Sequence, residues 1–112
     1  FQTYIILVPL EKRFIILLFI NYIMDKYLVE FFGTMLIVFV YLVSGDALAT
    51  GAATAVAILV GRNLSGANFN PVITLVMGAS GKQSTNETFP YIMSQFLGGL
   101  VALELSKRIA LK

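Results

Sequence analysis

Long apolar stretches separated by short polar or glycine-bearing breaks organise this chain. From Tyr27 to Val43 (YLVEFFGTMLIVFVYLV) only Glu30 and Thr34 interrupt an otherwise continuous apolar run. At the helical rise per residue this run covers about 26 Å, enough for a thin bilayer core. Ser44-Gly45-Asp46 reads as a turn, and Ala47 to Gly61 (ALATGAATAVAILVG) as a second helix built from small residues. Its Ala47, Gly51 and Ala55 recur at spacing four, a pattern that lets helix backbones approach closely in lipid. Pro90 to Leu105 (PYIMSQFLGGLVALEL) is a third apolar helix, opened by a proline suited to the first turn. Ser94, Gly98 and Ala102 give it a small face of its own. The pattern predicts three transmembrane spans, 27–43, 47–61 and 90–105.

Residues 1–23 read differently. They lack glycine, alanine and serine, and Pro9, Glu11, Lys12 and Arg13 break them into pieces too short to span. The first methionine is Met24. This stretch is read as an atypical leader, either upstream sequence read in frame or an extra interfacial segment. The basic pair lies too far inside for a good signal peptide. Residues 24–112 are expected to form the working unit.

The segment between the second and third spans, 62–80, carries the most information. Arg62 to Asn70 (RNLSGANFN) is polar, whereas Pro71 to Ala79 (PVITLVMGA) is apolar but about 13 Å long as a helix. That is roughly half a hydrocarbon core. Such a rod after irregular backbone fits a re-entrant half-helix, which survives at membrane depth only against protein or a watery cavity. By composition alone a surface loop with a short amphipathic helix fits as well. Asn70-Pro71-Val72 decides between them. Asparagine is a favoured N-cap, and proline at the first helical position wastes no amide donor. The cap uses the Asn70 side-chain carbonyl and leaves its NH2 group as a fixed outward donor. Gly66, Ala67 and Asn68 would offer backbone carbonyls as a ladder of acceptors. The positive end of the half-helix would repel cations and protons.

Composition narrows the class. The chain is 58% hydrophobic and 12% charged, with mean hydropathy +0.86. A soluble domain of this length carries about twice that charge. Cysteine and histidine are both absent, which removes disulfides, thiolate catalysis and most transition-metal sites. The net charge of +2 is scattered, leaving no nucleic-acid footprint. No pair of acids sits at catalytic spacing. Neither an enzyme, a cofactor nor a metal is expected.

Ser65-Gly66-Ala67-Asn68-Phe69-Asn70-Pro71-Val72-Ile73-Thr74 resembles the first pore-loop signature of the aquaporin, or major intrinsic protein, family, usually SGAHxNPAVT. Glu30-Phe31-Phe32-Gly33-Thr34 resembles the family's EFxGT opening, and Tyr91 to Gly98 its YxxAQxxG pattern. The three occur in family order over residues 27–106. The resemblance implies an all-α membrane protein with three transmembrane helices and one re-entrant half-helix, half of an aquaporin-like fold. It implies that Asn70, Pro71 and Val72, with Gly66, Ala67 and Asn68, line the pore of a channel for water or small uncharged solutes such as glycerol. Glu30 and Gln95 would support the pore loop; an intramembrane acid ordinarily faces the protein interior with a partner. Thr50 matches a filter position where the family commonly has an aromatic ring, implying a wider constriction. Asn68 for histidine and Val72 for alanine leave solute preference open.

One half-helix crosses half a membrane, so a second half-channel is expected. It would come from an inverted copy of this chain, a separate partner or a C-terminal half, within an oligomer in the lipid bilayer. In the family orientation Lys26, Arg62 and Lys82 oppose Lys107, Arg108 and Lys112. This balance suits insertion in both directions, unless Lys107 and Arg108 merely pair with Glu104. Two other readings compete: a non-conducting three-span module or inactive fragment, and a coupled transporter built on its broken helix. A transporter should show ionisable groups near the midplane, and only Glu30 qualifies.

Overall fold

A computed structural model describes residues 6–110, all in helices and short connections. Residues 1–5 of the atypical leader and Lys112 of the charge comparison lie outside the described residues. Among the described residues four helices are followed from end to end: α1 (Leu10–Ser44), α2 (Ala47–Ser65), α3 (Pro71–Ala79) and α4 (Thr85–Ala110). α1 packs against both α2 and α4, and α3 lies against α4.

The first expected span is the later part of a longer rod. α1 runs unbroken for 35 residues, straight through the compositional boundary at 23. No proline or glycine lies between Leu10 and Phe32, so nothing there stops a helix once begun. It ends at Gly45, whose left-handed conformation (φ 60°) returns its N–H to the Tyr41 carbonyl. Asp46 then caps α2 by accepting from the Ala49 amide at 2.7 Å.

α2 outlasts its expected end at Gly61 and stops at Ser65. Arg62, Asn63 and Leu64 tolerate helix, and the first breaker is Gly66 at φ 90°. α4 begins before its expected start. It opens at Thr85, so Pro90 is inside the helix and not at its first turn. The first turn lies ahead of the proline, with the Asn86 amide donating to Ser84 Oγ at 3.3 Å. α3 occupies 71–79, with Asn70 as its cap and Pro71 at its first position.

α1 and α2 are long and apolar enough to cross a membrane. α4 has the length, at 26 residues, but Ser94, Gln95 and Glu104 dilute its apolar character. The burial pattern is inverted relative to a water-soluble protein. The largest fully buried side chains are Gln95, Glu30 and Thr74, while leucines such as Leu48 and Leu59 stand almost bare. Polar groups inside and apolar groups outside is the arrangement a hydrocarbon solvent favours.

Candidate functional site

The segment 66–70 joins α2 to α3 in a conformation that ordinary residues avoid. Gly66 (φ 90°), Ala67 (φ 55°) and Phe69 (φ 52°) all have left-handed backbone. For Ala67 and Phe69 this costs about 1–3 kcal/mol each and persists only where the surroundings impose it. Two anchors do so.

The first is Glu30 on α1, which is fully buried. Its Oε1 accepts from the Phe69 amide and from Gln95 Nε2, both at 2.8 Å. Its Oε2 accepts from Ser65 Oγ at 2.6 Å and the Asn68 amide at 3.1 Å. Four donors from α2, the loop and α4 thus converge on one carboxylate, satisfying the acceptor sites that make a buried acid tolerable. The second anchor is the Phe69 ring. It packs between Gly33 of α1 and Gly61 of α2; a Cβ on Gly61 would stand 2.8 Å from the ring, and one on Gly33 would overlap it. Those glycines are there for space.

A further layer of hydrogen bonds fixes α3 to the loop. Thr74 Oγ1 accepts from Gln95 Nε2 at 2.8 Å and Asn68 Nδ2 at 3.1 Å. Asn68 Nδ2 also donates to Gln83 Oε1 at 2.9 Å, tying in the turn after α3. Tyr91 on α4 donates its hydroxyl to the Ser65 carbonyl at 2.7 Å. At the outer edge Lys26 of α1 pairs with Glu87 of α4 at 2.8 Å.

These restraints leave two sets of groups free. The Asn70 side-chain oxygen accepts from the Val72 amide at 2.8 Å and the Ile73 amide at 3.4 Å, and its NH2 group has no partner among the described residues. The carbonyls of Gly66, Ala67, Asn68 and Phe69 likewise receive no hydrogen bond from any described residue. Backbone carbonyls left unpaired within a protein demand water or a ligand.

The structure thus gathers Glu30, Gly66, Ala67, Asn68, Asn70, Pro71, Val72 and Gln95 around one loop. Val72 is mostly exposed. Thr50 is apart from them, in the first turn of α2, at the end remote from the loop, with its hydroxyl donating to the Asp46 carbonyl at 2.8 Å. Sequence reading missed Ser65, Phe69, Thr74, Gln83 and Tyr91. Phe69 left a signal, a bulky ring inside a polar, small-residue run. Ser65, Thr74 and Tyr91 belong to the matched motifs, which carry no indication of their partners, and Gln83 left no signal. No cluster of metal-binding side chains occurs among the described residues.

Comparison with known proteins places the chain in a family. Residues 20–111 match the family model for the major intrinsic protein. The chain is 38% identical to the glycerol uptake facilitator protein-like 6 of Lactiplantibacillus plantarum, over 70% of this chain and 41% of that protein. It is 38% identical to aquaporin Z of Photorhabdus laumondii, over 52% of this chain and 25% of that one. Aquaporin-8 of Mus musculus is 38% identical over 57% of this chain and 24% of its own length. The chain thus matches less than half the length of these relatives. No solved structure matches it.

Proposed function

The chain belongs to the major intrinsic protein family and is an integral, multi-pass membrane protein; from this we propose that it forms half of a channel for passive transport of water or small uncharged solutes such as glycerol. In this reading α1, α2 and α4 are the three spans and α3 is the re-entrant half-helix. The observation that carries the proposal is the row of unpaired carbonyls at Gly66, Ala67, Asn68 and Phe69, leading to the free NH2 group of Asn70. A solute moving in single file loses its water hydrogen bonds, and this row of acceptors with a terminal donor replaces them. The positive end of α3 at Asn70 and Pro71 disfavours cations at the same point. Glu30 and Gln95 hold the loop and do not meet the solute. Thr50, remote from the loop along α2, widens a second constriction. No step calls for a cofactor or a catalytic group.

The other half comes from a partner, whether an inverted copy, a separate chain or a C-terminal half. Beside Pro71 the groove between α1 and α4 holds two buried polar atoms without partners, Thr34 Oγ1 and Gln95 Oε1. Both lie just beneath the groove that a second half would cover. Charge does not decide among the three sources. Lys107 pairs with Glu104 at 3.1 Å, so it is a poor marker of orientation.

Osmotic shrinkage of liposomes containing the purified chain tests the proposal, with Asn70→Asp as comparison. Where an inverted copy supplies the second half, the expected result is faster shrinkage than lipid alone, abolished or strongly slowed by the added negative charge. Equal, lipid-only rates for both proteins would defeat channel activity by the chain on its own.

A further inference from the structure

Two cavities that flank the loop meet at one residue. An apolar groove of about 410 Å³ runs along the outside of α1 and α2, walled by Leu28, Phe32 and Leu36 on one side and Val56 and Val60 on the other. A polar cavity of about 330 Å³ lies at the end of α2, beneath the turn that follows α3. Leu64 lines both.

The polar cavity is rich in donors. Gln83 Nε2 is buried and has no partner, its Oε1 being taken by Asn68. Lys82 is exposed and makes no ion pair among the described residues. Lys26 has three N–H donors and spends one on Glu87. The Lys26–Glu87 pair offsets its own charge through Glu87 Oε2, which leaves Lys82 and Gln83 Nε2 as the donors that call for an acceptor-rich anion. A phosphate fits that need. The adjoining groove calls for an unbranched apolar chain. Asp25 at the groove's end opposes a purely anionic molecule and favours a headgroup that also carries an amine.

We propose that these joined cavities hold one phospholipid, its phosphate against Lys82 and Gln83 and one acyl chain in the α1–α2 groove. The polar cavity borders the loop at Gly66 and Asn68, but its donors at Lys82 and Gln83 are not groups assigned to the solute, and lipid retention is read without conduction. A lipid seated there would brace the turn after α3, because Gln83 is also the anchor of Asn68. Basic pockets between membrane helices bind headgroups by the same attraction.

The test uses the full purified chain, incubated with equal amounts of phosphatidylethanolamine and a diacylglycerol with the same chains, then analysed by native mass spectrometry. One phosphatidylethanolamine should be retained at least about tenfold better than the diacylglycerol. Lys82→Gln should lower retention about fivefold. Gln83→Glu keeps an oxygen for Asn68 but replaces the free donor by an acceptor, and should lower retention about tenfold or more. Val60→Trp should block the groove and do likewise, whereas Leu100→Trp on α4 should change nothing. Because Lys82 is exposed, its variant reports even if Gln83→Glu misfolds. Equal retention of the diacylglycerol, or indifference to Lys82→Gln, would overturn the proposal. So would glycerophosphoethanolamine binding as tightly as the lipid, which would mark a free-phosphate site. A photo-crosslinker at Val60 that labels protein in place of lipid would overturn it too, by making the groove a protein interface.

Discussion

Two stripes of small residues run along this molecule, Ala47, Gly51 and Ala55 on α2 and Ser94, Gly98 and Ala102 on α4. Their spelling is alike and their use is opposite. On α4, Gly98 lies so close to α1 that a Cβ would overlap the Phe31 carbonyl, and Ala102 is completely buried. On α2 all three residues are exposed, and a Cβ on Gly51 would meet nothing within 4 Å. Small residues permit close approach but do not say to whom. On α4 the choice is made by neighbours. Gln95 reaches Glu30 across the seam, and Tyr91 reaches the end of α2. The α2 stripe begins at the other end of its helix from the loop and has no such polar partner.

If hydrogen bonds select the seam and small residues merely allow it, removing the bonds should cost most. Glu30→Ala strands four donors in a dry interior and should destabilise the protein by more than about 4 kcal/mol. Thermal unfolding in detergent would register this, and hydrogen exchange should speed up at the Asn68 and Phe69 amides. Unchanged exchange there would mean that the carboxylate does not hold the loop. Gly98→Leu should follow, at about 3 kcal/mol, by driving α4 off the Phe31 carbonyl; a normal melting temperature would show the seam to be looser than described. Tyr91→Phe deletes one bond to the Ser65 carbonyl and should cost about 1 kcal/mol. Gly51→Leu should lie within about 0.5 kcal/mol of the parent when the chain is melted alone. A large loss in that variant would mean that the α2 stripe is already covered by another copy.

Legibility in the sequence followed the range of the interaction. α3 was readable to the residue, because Asn70, Pro71 and an apolar run ending at Ala79 are all local signals. The start of α4 was misread because Pro90 was given the first-turn position. Yet Ser84-Thr85-Asn86-Glu87 carries the Ser-x-x-Glu spacing of a helix start, six residues earlier. In the structure the Glu87 side chain goes to Lys26 and does not close that box. Glu30 was expected to have a partner, on the physical ground that an acid in lipid needs one. What could not be read was which atoms meet it. Phe69 and Asn68 lie 39 and 38 residues away and Gln95 lies 65 away, and no periodicity links them. The left-handed turn at Ala67 and Phe69 was equally hidden, since neither residue type favours it. It exists because Glu30 and the slot between Gly33 and Gly61 impose it.

The length of α1 has a bearing on the bilayer itself. Thirty-five helical residues make a rod of about 52 Å, while hydrocarbon and headgroups together are about 45 Å thick. With no proline along it to bend at, the rod can be accommodated whole by leaning about 30° from the normal, inside the range that membrane helices adopt. A thicker, sterol-rich sheet would let it stand straighter and turn the loop with it, so bilayer thickness becomes a setting on the angle at which the tip of α3 is presented.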